Sequence, residues 1–118
     1  MPLEKFKGNP NPIKKSPNDK TDYKYIVLPN QMRVLLVSDP LTQHGYASLE
    51  VMAGSFLDPD MMIGSASYVQ AMLPRASKKY PDMEKNDMFF KMNGGECNAF
   101  TSWTTTNFHM KVANQSYE

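Results

Sequence analysis

Hydrophobic and polar positions along the chain alternate with a period of two in some stretches and of three to four in others. Tyr23 to Leu28 is aromatic and β-branched, Pro29-Asn30-Gln31 is turn material, and Met32 to Ser38 resumes as an apolar strand, so a hairpin is predicted. Asp39-Pro40 closes it. After a polar connection, Ala47, Leu49, Val51 and Ala53 alternate with Ser48, Glu50 and Met52, the pattern of a third strand with one buried face. Between Ile63 and Leu73 the spacing changes: Ala66, Val69, Met72 and Leu73 form one apolar helical stripe, and Pro74 marks its end. A second helix is predicted after Tyr80-Pro81, with Asp82 suited to the N-cap, Phe89 and Met92 three apart, and Gly94-Gly95 as its stop. The remainder returns to strand. Cys97 to Ser102 comes first, and then Thr104, Thr106, Phe108, Met110 and Val112 alternate with Thr105, Asn107, His109 and Lys111.

The predicted order is therefore βββααββ. Strands and helices that do not strictly alternate favour an α+β fold, mostly antiparallel sheet packed by helices, over a doubly wound parallel sheet. Residues 1–21 carry Pro2, Pro10, Pro12 and Pro17 among Lys and Asn and cannot bury enough apolar area to offset the entropy of ordering, so they are expected to form a flexible, solvated arm. Its lysines, Lys5, Lys7, Lys14, Lys15 and Lys20, are spaced by prolines and partly balanced by Glu4, Asp19 and Asp22. Residues 22–118 are expected to make one folded region, since 118 residues allow a single small core.

Composition narrows the function classes. A formal net charge of +1 gives no electrostatic case for nucleic acid or an anionic membrane as partner. Cys97 is the only cysteine, which excludes an internal disulfide and a cysteine-cage zinc site. The ten methionines suit adaptable core filler. MPLEKFKGNP lacks the apolar run of a signal peptide, and nowhere do about eighteen apolar residues occur together, so a cytoplasmic protein is expected.

From the residues alone, no active site is persuasive. His44 and His109 lie far apart, no His/Cys/Asp/Glu cluster has ligand spacing, and Gly94-Gly95 follows a helix where a phosphate cradle would precede one.

Several blocks, however, resemble the insulin-degrading-enzyme and pitrilysin family of metallopeptidases. SPNDKTDYKYIVLPNQMRVLLVSDP, Ser16 to Pro40, is similar to the start of that family's catalytic domain. ASLEVMAGSFLDP, Ala47 to Pro59, looks like its third strand and exit. KKYPDMEKNDMFFKMNGGECNAFTS, Lys78 to Ser102, looks like its Tyr-Pro-Asp helix, Gly-Gly stop and following strand. The resemblance covers Ser16 to Val112 and implies the opening part of an insulinase-like domain, with VANQSYE leaving a strand in mid-domain.

Between those blocks the family carries its inverted zinc motif, H-x-x-E-H. Histidines four apart share one helix face and reach a Zn²⁺, and the adjoining Glu activates the zinc-bound water. Here Gly64, Ala66, Met72 and Leu73 match the surrounding pattern, but Ser67 stands at the first histidine, Gln70 at the general base and Ala71 at the second histidine. A hydroxyl is a poor zinc ligand, a carboxamide cannot accept a proton near neutral pH, and a methyl group ligates nothing. The resemblance places the third-ligand Glu beyond Glu118, so no zinc or other cofactor is expected, and the implied function is that of a catalytically inactive homologue. The alternative is a part of a working zinc metalloendopeptidase whose intact site lies in another domain or subunit.

The family also binds substrate partly by strand addition to an exposed sheet edge. The segment that contributes to its cleft survives here as Asn98, Ala99, Phe100 and Thr101. Strand addition needs no zinc, so peptide binding is expected to outlive cleavage. Expected partners are a peptide, a peptidase domain or subunit, and further copies of the chain, which would cover an apolar face left open here.

Overall fold

A computed structural model describes Lys7–Gly8 and residues 13–114, which belong to two compact units divided between Thr42 and Gln43. In the first unit, β1 (Lys7–Gly8), β2 (Asp22–Val27) and β3 (Arg33–Ser38) form an antiparallel sheet in that order. The expected hairpin is present. Asp22 opposes Ser38 and Val27 opposes Arg33, and the chain reverses where Leu28 N–H donates to Met32 O at 2.9 Å and Gln31 N–H to Leu28 O at 2.9 Å. Pro29 enters this turn with a fixed φ, the Asn30 side chain accepts from Met32 N–H at 3.1 Å, and Gln31 takes the left-handed conformation at φ 66°. Ile26 is buried in this sheet.

Strand β1 is an addition to the predicted order. Lys7 pairs with Val27 and Gly8 with Ile26, inside the stretch read from composition as a solvated arm. Main-chain pairing along the open edge of β2 needs no apolar side chain, so composition alone does not foresee it. Residues 13–21 are also tied down locally: Asp19 N–H donates to Ser16 O at 3.0 Å, Asp19 accepts from Thr21 N–H at 2.9 Å, and the Lys15 ammonium donates to Thr21 O at 2.8 Å. The rest of the arm, residues 1–6 and 9–12, lies outside the described residues.

The second unit contains β4 (His44–Val51), α1 (Ser65–Met72), α2 (Met83–Met92), β5 (Glu96–Thr101) and β6 (Thr106–Ala113). The sheet order is β4-β6-β5 with both pairings antiparallel, so the α+β class and its antiparallel sheets are as the sequence predicts. Two single turns of tight helix, Ser55–Leu57 and Asp60–Met62, fill the connection from β4 to α1. Helix α2 begins as expected: the Asp82 carboxylate accepts from Lys85 N–H at 3.1 Å, satisfying one of the orphan donors of the first turn. It ends at Asn93, where Gly94 turns left-handed at φ 59° and Gly95 N–H returns to Phe90 O at 2.8 Å.

Period-two patterning sorts the side chains of this sheet by face. Ala47, Leu49 and Val51 of β4, Thr106, Phe108, Met110 and Val112 of β6, and Cys97, Ala99 and Thr101 of β5 share the face that α1 approaches. Val112, only 4% exposed, and Thr106 are buried, and the Thr106 hydroxyl donates to Ala53 O at 2.7 Å. Leu49 stays 48% exposed, so the face the pattern marks as buried is only partly covered.

Candidate functional site

The site is built where α1 meets the outer edge of β5. Gly64, at φ 93°, occupies the cap position of α1 in a conformation that a side chain disfavours, and the helix starts at Ser65, two residues after the Ile63 at which the helical stretch is predicted to begin. Its free N–H groups are met from outside the helix. The Asp58 carboxylate accepts from Gly64 N–H, the Ser65 hydroxyl and Ala66 N–H, each at 2.8 Å. Those donors, Ala66 N–H foremost, hold the Asp58 carboxyl below its ordinary value of 3.8. Fixing this end orients the rest of α1.

The three positions aligned with the zinc motif follow from that orientation. Ser67 and Ala71, four apart, are exposed. Gln70 is half-buried, and its side-chain N–H₂ donates to the main-chain carbonyl of Ala99 at 3.1 Å, joining α1 to β5. The face thus offers a hydroxyl, a carboxamide already engaged through its donor, and a methyl group. No group of three or more His, Cys, Asp and Glu side chains suited to a metal occurs among the described residues. Neither histidine joins the site. His44 opens β4 opposite Ala113, and His109 sits in β6 with its Nδ1 3.1 Å from the Asn107 amide oxygen.

The four residues expected to contact peptide divide between the two faces of β5. Ala99 and Thr101 share the face of α1, whereas Asn98 and Phe100 point to the other, where Phe100 lies 6.2 Å from the His109 ring and is 53% exposed. The nearby Cys97 thiol is pushed up by burial and, secondarily, by Asp87, the opposite of what an activated nucleophile needs. Under α1 a groove of about 270 Å³ is lined by Val51, Leu57, Val69, Leu73 and Phe108 among others.

Two features of the site are absent from the sequence reading. The Asp58 cap acts across six to eight residues and the intervening Asp60–Met62 turn, and only the Asp-Pro followed by Gly-Ser hints at it. The Gln70 bond joins α1 to β5 across 29 positions of sequence and leaves no local signature.

These observations define the class as an α+β fold with a helix laid against an open strand edge. The model of the family described as Insulinase (Peptidase family M16) matches residues 33–118. Insulin-degrading enzyme-like 2 of Arabidopsis thaliana is 40% identical over 93% of this chain, human insulin-degrading enzyme 39% over 92%, and Protease 3 of Escherichia coli 40% over 88%. A crystal structure of pitrilysin superposes with a TM-score of 0.84 at 38% identity, covering 94% of this chain and 12% of that one. The chain belongs to the insulinase peptidase family, whose members use zinc. It spans 11% of the length of each of those three relatives. No helix among the described residues is long and apolar enough to cross a membrane.

Proposed function

We propose that this insulinase-family chain is non-catalytic and binds extended peptide along the outer edge of β5 without cleaving it. The observation that carries the first half is the donor set on α1. Ser67, Gln70 and Ala71 do not fit a Zn²⁺ ion, because neutral hydroxyl and amide groups are weak ligands beside imidazole or carboxylate and a methyl group is none. Gln70 is further committed: its donor faces Ala99 O, and it has no basic oxygen with which to take a proton from water. The second half is supported by the position of β5 at the margin of the β4-β6-β5 sheet, where strand addition supplies affinity through main-chain hydrogen bonds.

Two measurements test the proposal. Metal analysis of the purified chain is expected to give far less than one zinc per chain and no peptide cleavage; near-stoichiometric zinc, or cleavage that a chelator blocks, would overturn the non-catalytic assignment. Titration of an extended peptide is expected to weaken about five-fold or more with Phe100→Ala, the effect of removing an exposed aromatic contact. Equal or absent binding in both proteins sinks the peptide-binding half. The small share of the relatives that the chain spans also supports a second reading, in which it serves a zinc endopeptidase whose intact H-x-x-E-H lies in another domain or subunit. Chelator-sensitive cleavage that appears only when such a chain is added would favour it.

A further inference from the structure

The geometry points to Gln70 as a built-in competitor for the β5 edge: its carboxamide holds the Ala99 carbonyl that an incoming extended peptide would use, and so sets how tightly such a peptide binds. This inference rests on the peptide-binding reading above.

The direction of the Ala99 carbonyl follows from the ladder. At the tip of the β5–β6 hairpin, Ser102 N–H donates to Thr105 O at 2.8 Å, so this pair is a hydrogen-bonded one. Antiparallel strands alternate hydrogen-bonded and open pairs. Counting back along the register, Phe100 with Asn107 and Asn98 with His109 are bonded pairs, whereas Ala99 opposite Phe108 is an open pair. The N–H and C=O of Ala99 therefore point away from β6. Gly95, on the same alternation, confirms the parity independently: its N–H leaves the sheet to meet Phe90 O at 2.8 Å.

Since β5 is the marginal strand, outward groups at Cys97, Ala99 and Thr101 are the ones a further strand would pair with. The Ala99 oxygen lies at the middle of that row and already accepts from Gln70 at 3.1 Å. A peptide N–H arriving in the sheet plane needs the same outward approach to that oxygen. The residue type is what makes the contact. A glutamate of the same length would set a carboxylate oxygen against the carbonyl oxygen, with no proton to share. Glutamine holds the row at its centre; the carbonyl oxygen has two lone pairs, and a strand whose N–H takes the outward one competes with the carboxamide for it.

The test is fluorescence anisotropy with the whole chain and a terminally blocked, labelled peptide of alternating Thr and Val flanked by Lys. Gln70→Ala and Gln70→Glu both free the carbonyl, and each is expected to tighten binding about three- to ten-fold, the ratio that one net hydrogen bond sets. The glutamate variant keeps size and helix propensity, so it carries the test even where Gln70→Ala folds poorly. In the unsubstituted chain the Gln70 side-chain amide resonance is expected to shift towards that of a solvated glutamine as peptide saturates. Equal or weaker binding in both variants, or a Gln70 resonance that stays in place at saturation, overturns the competitor role and leaves peptide binding standing. Binding by none of the three proteins, or binding that survives full N-methylation of the peptide, removes the strand-addition reading itself, and this inference with it.

Discussion

At the scale of single residues, carboxylates do the local organising. Asp58 and Asp82 each accept main-chain N–H groups at a helix start, and both are held below the ordinary aspartate value of 3.8. A depressed folded pKa means that the stabilisation is complete above the unfolded value and is lost as pH falls through the folded one. Melting followed by circular dichroism from about pH 7 to about pH 2.5 is therefore expected to show a loss of stability below about pH 4, with a smaller loss in Asp58→Asn, which lacks that titration. A variant as pH-sensitive as the parent would show that Asp58 contributes nothing. Gln31 offers a test of opposite sign. A side chain at φ 66° costs about 1–2 kcal/mol, of which glycine recovers part, so Gln31→Gly is expected to raise stability by about 0.5 kcal/mol and the midpoint accordingly. Of these residues, the sequence makes Asp82 legible because its partner is three residues away. Asp58 is not, since the chain must fold through the Asp60–Met62 turn before its acceptor meets α1.

At the scale of elements, periodicity located each long strand and both helices to within about three residues. It failed at ends set by tertiary contacts. The third strand was expected over Ala47 to Ala53; it begins earlier, at His44, because β6 runs on to Ala113 opposite it, and it closes at Val51, where Ala53 N–H folds back to Val51 O at 2.8 Å. Just beyond, Gly54 is buried against the hairpin tip, and a Cβ there would meet Ser102 O and come within 2.7 Å of Thr104 N and Thr105 N. Those are main-chain atoms that cannot swing aside. Gly54→Ala is expected to cost about 1–3 kcal/mol by overpacking, read as a lower urea midpoint. An unchanged midpoint would mean that the tip is loose enough to yield.

At the scale of the whole molecule, β6 sits between β4 and β5 although it follows both in the chain. No local pattern encodes that order, because it depends on pairings between residues as far apart as His44 and Ala113. The candidate site shares this limit. Ser67, Gln70 and Ala71 could be read off by resemblance, while the bond from Gln70 to Ala99 required the folded sheet. Apolar side chains remain open within each unit, among them Leu35 and Val37 in the first and Leu49, Val69 and Leu73 in the second. Self-association is accordingly expected, visible as a sedimentation coefficient that rises with concentration; a monodisperse monomer across the range would count against it.

The hairpin tip that crowds Gly54 also carries Trp103, the only tryptophan, stacked on Phe56 at 5.2 Å between ring centres and 68% exposed. An indole already bathed in water emits at long wavelength and is open to collisional quenchers while the protein is native. Unfolding has little hydration left to add to it. Intrinsic fluorescence is therefore a nearly blind gauge of denaturation for this chain, yet a sensitive one for anything that settles over the Phe56–Trp103 pair.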